Sequence, residues 1–261
     1  MMNEVLKAAY TCLQKNDPCV LVTAVRTKGS TPQKPGAKLL VRADGTATGT
    51  LGGGCMEGDL WYAAQQLLKD KGEPQFRQYT LNEEMAARDG LVCGGTMYFF
   101  LEPFFDSSFW QPLFKDILTG IETGPPLVVA TIVQAPQHPD WVGKKILLHS
   151  DDSQSGDILN EEMEREIRSR GKKLAPVGGN QSFELSDGTE IFIEGFTAPS
   201  TLILMGGGHV NRMVVRLADL LGFRIIVIDD RSEFANKERF PEAECVIVAD
   251  YSEGLKELSV R

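Results

Sequence analysis

The stretch that most constrains the fold lies near the C-terminus, at residues 201–230. An apolar run, 201–205, predicts a buried strand and is followed by three glycines. Residues 212–221 predict a helix, and 224–230 predict a second strand that ends in acids. Strand, glycine turn, helix and acid-ended strand in this order form the dinucleotide-binding fingerprint, so a Rossmann-like α/β domain is predicted.

Within this fingerprint each residue type has an expected task. Gly206 would make the turn, and Gly208, beside His209, would let a pyrophosphate approach the helix N-terminus. Asp229 lies 23 residues after Gly206 (229 minus 206), close to the usual separation of about 20, and would bind a ribose hydroxyl. Asn211 replaces the third glycine, which predicts a wider contact between helix and strand. NAD(P) is therefore a candidate ligand.

This second domain, 200–261, is short for a Rossmann domain. A third strand is predicted at 245–249, after which only about a dozen residues remain, so we expect a C-terminally incomplete domain. Such a half-domain would need to pack on the first domain or on a second copy of the chain, and a homodimer is the expectation.

The N-terminal domain, 1–197, is predicted to be mixed α+β and contains a glycine-crowded stretch. Gly52, Gly53 and Gly54 follow a predicted hairpin and precede Cys55 and a helix over 56–71. Glycine loops at helix N-termini suit phosphate, and the same position favours a thiolate at Cys55. A tight structural turn with a buried cysteine explains the stretch equally well.

A second cysteine lies beside glycines at Cys93-Gly94-Gly95, before a strand predicted over 96–102 and ended by Pro103. Two such pairings within one domain indicate that at least one thiol is functional. A further helix is predicted over 161–170, with Gly171 as its stop.

Composition limits the function classes. The net charge is −9 and no basic run occurs, which argues against a nucleic-acid or anionic-membrane partner. Five scattered cysteines indicate a reducing cytoplasm rather than a disulfide framework.

The motifs together resemble the xanthine dehydrogenase accessory protein family (XdhC/CoxI type). The resemblance rests on four signatures in the family's order: 29–37, Gly52–Glu57, 93–103 and the stretch from Gly206 to Pro241. It implies a maturation factor rather than an enzyme, one that binds the molybdenum cofactor (molybdopterin), assists its sulfuration and delivers it to a molybdenum hydroxylase such as xanthine dehydrogenase. A cysteine desulfurase is a candidate partner as sulfur source.

The resemblance also implies site residues. Cys93 would be the thiol nearest the metal, with Cys55 in the same pocket, and the glycine loops would hold the pterin phosphate. Glu57 would anchor its loop or bond the pterin. The rival interpretation is an NAD(P)-dependent oxidoreductase, against which the chain shows no obvious proton donor beside a hydride site. A scaffold that only bridges partner proteins is the third.

Overall fold

The computed structural model describes residues 2–81, 94–122, 124–156, 159–256 and 258. The chain divides into two compact units, unit 1 (Met1–Ala198) and unit 2 (Pro199–Arg261). Across the described part of the chain, no helix has the length and apolarity that crossing a membrane would require.

The first half of unit 1 is an antiparallel sheet, sheet A, with two helices. Its elements are α1 (Met2–Lys15), β1 (Cys19–Lys28), β2 (Lys38–Arg42), β3 (Ala47–Gly49), α2 (Gly54–Asp70), β4 (Gln75–Thr80) and β5 (Thr96–Phe104). The strand order is β3-β2-β1-β5-β4. The amphipathic pattern places one face of α1 in the core, and these are its buried residues: Val5, Leu6, Ala9, Cys12 and Leu13.

The second half of unit 1 has the same order of elements around a second sheet, sheet B. The elements are α3 (Ser107–Glu122), β6 (Leu127–Gln134), the short 3₁₀ helix Pro139–Trp141, β7 (Lys145–His149), β8 (Gln154–Ser155), α4 (Glu161–Leu174), β9 (Gly179–Glu184) and β10 (Glu190–Phe196). The strand order, β8-β7-β6-β10-β9, repeats that of sheet A position by position.

Unit 1 therefore consists of two copies of one arrangement of elements. This internal repeat was not predicted from the sequence. We call α1–β5 the first repeat and α3–β10 the second repeat. From β2 to α2 the two correspond at a constant separation of 107 residues. Lys38 matches Lys145 in the strand registers, and α2 begins at Gly54 where α4 begins at Glu161.

The two sheets pack against each other, with α2 outside sheet A and α4 outside sheet B. One shared core cluster consists of Val25 and Phe100 from sheet A with Val133 and Phe192 from sheet B. These four residues form two matched pairs, because Thr23 pairs with Phe100 as Thr131 pairs with Phe192. The core between the sheets thus has two-fold character.

Two buried ion pairs cross between the sheets in the same manner. Lys38 Nζ lies 2.8 Å from Glu194 Oε1, and Lys145 Nζ lies 3.0 Å from Glu102 Oε2. Each lysine also donates a hydrogen bond to the threonine opposite it, Thr23 or Thr131. Each repeat therefore supplies the lysine of one pair and the glutamate of the other.

Two predicted element ends were wrong. Pro103 does not end β5 but pairs with Val20 inside the strand. It is tolerated because β4 begins only opposite Leu101, so β5 is an edge strand beyond that point. Gly171 does not stop α4; it lies within the helix, where a Cβ would come 2.7 Å from Leu148 Cδ1, so glycine permits close packing on sheet B.

Unit 2 confirms the predicted Rossmann-like arrangement. It contains β11 (Thr201–Met205), α5 (His209–Leu220), β12 (Arg224–Asp229), β13 (Cys245–Val248) and α6 (Tyr251–Lys256), with parallel strands in the order β11-β12-β13. A small core of Leu204, Val215, Val227 and Phe240 lies at its centre.

Candidate functional site

Sheet A brings the predicted motifs of the first repeat to one end. The loop after β1, the loop after β3 and the approach to β5 all lie at this end, because β1 and β5 pair antiparallel from Lys28↔Thr96 and β2 pairs with both β1 and β3. We call this region the glycine end of sheet A. Rigid strands that hold several loops together are a common basis for binding sites.

The loop after β1 contacts both glycine motifs. A Cβ at Gly52 would lie 2.7 Å from Pro32 Cβ, and a Cβ at Gly95 would lie 2.5 Å from the Ser30 carbonyl oxygen. Gly29 belongs to the same packed region. Its φ is 78°, and a Cβ there would lie 3.3 Å from the Cα of Gly95. Only glycine fits these positions, so the three motifs are packed into one structure.

Glu57 anchors the loop that precedes α2. Its Oε2 atom accepts hydrogen bonds from the Leu51 N–H at 2.6 Å, the Gly53 N–H at 3.1 Å and the Thr50 hydroxyl at 2.8 Å. Partial burial acts to raise the pKa of Glu57, but these hydrogen bonds outweigh it and the pKa is lowered. The structural role foreseen for Glu57 is the one observed.

These bonds also restrict how the loop can bind a ligand. The N–H groups of Leu51 and Gly53 point to Glu57, and that of Gly52 donates to the Thr50 hydroxyl at 3.1 Å. These three N–H groups are thus engaged within the loop, and the first turn of α2 follows directly after it, where the helix dipole favours an anion. Cys55 is exposed in that turn.

Two glycines at this end have no close neighbours within the described residues. There, a Cβ at Gly53 or at Gly94 would meet no atom within 4 Å. Gly94 is exposed, whereas Gly95 is buried beneath the loop after β1. Among the described residues, nothing therefore covers the backbone at Gly53 and Gly94. Cys93, the thiol expected nearest the metal, lies outside the described residues.

The second repeat shows how the same junction is built without glycines. The residues matching Gly52–Gly54 are Leu159, Asn160 and Glu161. Asn160 caps α4 by accepting a hydrogen bond from the Met163 N–H at 2.7 Å. An ordinary side-chain cap thus suffices for a strand-to-helix junction in this fold, and the glycines at 52–54 answer some other requirement.

Unit 2 places its predicted residues around the turn after β11. Asp229 is completely buried, and its carboxylate accepts hydrogen bonds from the Gly207 N–H at 2.7 Å and from the Arg231 backbone and guanidinium. The bonds from Arg231 outweigh the effect of burial and hold the pKa of Asp229 far below its usual range. Asp229 thus fastens the glycine turn to the end of β12.

The rest of the turn is held from two further directions. Asn211 donates to the carbonyl oxygens of Met205 and Gly206, and Arg239 donates to that of Gly207. Asn211 therefore has a bonding role in the place of the third glycine. Gly208 borders open space, and His209 begins α5 exposed to solvent.

The internal repeat is the functional clue that the sequence analysis missed, although the sequence contained a signal for it. Residues 36–49, GAKLLVRADGTATG, align with residues 143–156, GKKILLHSDDSQSG. In both segments an aspartate accepts bonds from the backbone and hydroxyl two residues later, Asp44 from Thr46 and Asp151 from Ser153. A self-comparison at a separation of 107 would have revealed it.

Comparison with known proteins adds sequence matches in both units. The model of the XdhC and CoxI family matches residues 12–80, and that of the XdhC Rossmann domain matches residues 202–257. The chain is 23% identical over 243 residues to a probable xanthine dehydrogenase subunit of Bacillus subtilis (strain 168), covering 91% of this chain and 67% of that protein. It is 34% identical over 88 residues to the uncharacterized protein YqeB of Escherichia coli (strain K12), covering 34% of this chain and 16% of YqeB.

A solved structure has the same fold. The crystal structure of a xanthine dehydrogenase from Bacillus halodurans superposes with a TM-score of 0.67 at 22% identity, covering all of this chain and 71% of that one. The resemblance inferred from the motifs is thereby confirmed. Residues 12–80 and 202–257 are thus similar to the models of the XdhC and CoxI family and of the XdhC Rossmann domain, respectively.

Proposed function

We propose that this protein is an accessory factor that binds the molybdenum cofactor at the glycine end of sheet A, assists its sulfuration and delivers it to a molybdenum hydroxylase of the xanthine dehydrogenase type. The matches to the XdhC and CoxI family model and to the XdhC Rossmann domain model support the accessory role. The single observation that carries the binding site is the contrast between the repeats, in which the same junction is glycine-rich only where the other motifs converge.

The residues at the glycine end fit such a cofactor. Gly53 and Gly94 leave open surface for a flat pterin, and the first turn of α2 offers N–H donors to its phosphate. Cys93 is the proposed thiol ligand of the metal, and Cys55, exposed in that turn, would line the same pocket with a second soft sulfur. When bound, the cofactor would supply the molybdenum centre; the chain would hold it and shield it from solvent.

The proposal includes two kinds of partner. A molybdenum hydroxylase would receive the cofactor, and a cysteine desulfurase would provide sulfur. A homodimer is also proposed, since α5 exposes an apolar face composed of Val210, Met213, Leu217 and Leu220. Sedimentation of wild type against Leu217→Glu tests this part, and a monomer in both would contradict it.

The experiment measures molybdenum and pterin retained after incubation with released cofactor and gel filtration. Wild type is expected to retain about one equivalent, and Cys93→Ala and Cys55→Ala to retain less. Cys245→Ala, in β13 of unit 2, is the matched control and should retain as much as wild type. Equal retention in all four proteins would move the site away from the glycine end, and no retention by wild type would refute cofactor binding.

A further inference from the structure

A cavity lies at the other end of β5, away from the glycine end. It has a volume of about 480 Å³. Glu102, near the C-terminus of β5, lines it, whereas Gly95 immediately precedes the strand. The six residues between them span roughly 20 Å of extended chain. We call this space the Glu102 cavity, and its volume is in the range of small-molecule sites.

The Glu102 cavity combines aromatic walls with a buried carboxylate. Phe105, Phe109 and Trp110 line one part of it. The Glu102 side chain is 6% exposed, and Oε2 bonds to Lys145. Within the described residues, Oε1 is buried and has no hydrogen-bond partner. Burial raises the pKa of Glu102 although Lys145 opposes this, which agrees with a carboxylate short of donors.

The internal repeat provides a comparison for this arrangement. In the matching pair, Lys38 bonds to both carboxylate oxygens of Glu194, at 2.8 and 3.0 Å. The cavity beside Lys38 has only about 220 Å³. The fold can therefore satisfy this glutamate completely, and it does so in one repeat but not in the other.

The repeats differ at two matched positions near these cavities. Asn180 donates a hydrogen bond to the Pro35 carbonyl, whereas its counterpart Pro74, which lines the Glu102 cavity, has no side-chain donor. Trp110, on α3, takes the place that Met2 has on α1, since the buried faces of the two helices match at a separation of 108 residues. The Glu102 cavity thus has an aromatic ring where the smaller cavity has Met2.

We propose that the Glu102 cavity binds a planar nitrogen heterocycle that donates an N–H to Glu102 Oε1 and stacks on the aromatic wall. A flat ring matches Phe109 and Trp110, whose rings lie 4.9 Å apart at 81°. A cationic ligand is disfavoured, because the cavity is lined by three lysines and two glutamates, namely Lys71, Lys144, Lys145, Glu73 and Glu102. This site is separate from the glycine end, so an experiment that refutes one of the two proposed sites does not refute the other.

The test titrates two fluorescent amino-heterocycles, 2-aminopurine riboside and pterin, into the full-length protein. Saturable quenching is expected with at least one, and which one binds distinguishes a nucleobase ligand from a pterin. Purine riboside, which lacks the amino group, should compete at least tenfold less well than 2-aminopurine riboside if the nucleobase binds, because one charge-assisted hydrogen bond is lost. No saturable binding of either probe overturns the proposal.

Variants decide whether binding occurs at this cavity. Glu102→Gln should weaken binding about tenfold or more, while Glu194→Gln, its counterpart in the satisfied pair, should leave binding unchanged. If Glu102→Gln does not fold, Trp110→Met decides, since it introduces the residue that the first repeat has there and should cost about tenfold through lost stacking. Unchanged affinity in the folded Glu102→Gln or Trp110→Met protein would refute the assignment.

Discussion

Glu57 shows how one carboxylate oxygen can fix a glycine loop. Glu57→Ala removes the acceptor of three hydrogen bonds and should lower the free energy of unfolding of unit 1 by about 1–3 kcal/mol. The matched control is Glu164→Ala, at the equivalent position of α4. There, among the described residues, the partly exposed carboxylate pairs with half-buried Arg168 one helical turn away, and the loss should be about 0.5 kcal/mol or less. Equal losses would contradict the anchoring role.

The contribution of Glu57 to the free energy of unfolding depends on pH in a defined direction. Its pKa is lower in the folded protein than in the unfolded chain. Its stabilisation is therefore complete above the unfolded value of about 4.3 and is lost as the pH falls through the folded pKa. In denaturant titrations, the difference between wild type and Glu57→Ala should persist from pH 7 to about 5 and shrink at more acidic pH; a difference that grows on acidification would contradict this.

Alanine substitutions at two glycines of the same segment should change the free energy of unfolding in opposite directions. Gly52 has a φ of 115°, and a Cβ would clash with Pro32, so Gly52→Ala should cost more than about 1 kcal/mol. Gly58 lies inside α2 with open space around it, so Gly58→Ala should stabilise by about 0.5–1 kcal/mol. Tryptophan fluorescence is a suitable readout, because all three tryptophans are in unit 1.

At the level of elements, the N-terminus of α4 should matter for stability alone, whereas that of α2 belongs to the proposed binding site. Asn160→Ala removes the cap of α4 and should cost about 1 kcal/mol in thermal or urea unfolding. Retention of the cofactor should not change, because α4 belongs to the second repeat. Loss of cofactor from a folded Asn160→Ala protein would place the site elsewhere.

Many of the helices, strands and turns could be predicted from the sequence. The apolar periodicity of α1 and the glycine turn before α5 identified their elements, and both are confirmed. Pro103 and Gly171 were assigned the wrong roles, because edge position and helix packing are set by neighbouring elements distant in the chain. The bonding of Glu57 and Asp229 likewise depends on loop geometry that residue spacing does not specify.

At the scale of the whole molecule, the crossed ion pairs couple the two repeats of unit 1. Lys38→Met leaves Glu194 buried without its cation and should cost about 3–5 kcal/mol. Adding Glu194→Leu should recover most of this loss, because two apolar groups replace the pair. Urea unfolding of the single and double variants measures the coupling, and additive losses would show that the two sheets are not joined here.

A side chain placed at the glycine end of sheet A should block the proposed binding of the molybdenum cofactor there. Gly94→Leu and Gly208→Leu are matched variants, since within the described residues a Cβ at either glycine would meet no atom within 4 Å. Both proteins should unfold like wild type. We predict that Gly94→Leu loses molybdenum and pterin while Gly208→Leu, in unit 2, retains them. Full retention by Gly94→Leu would contradict the account.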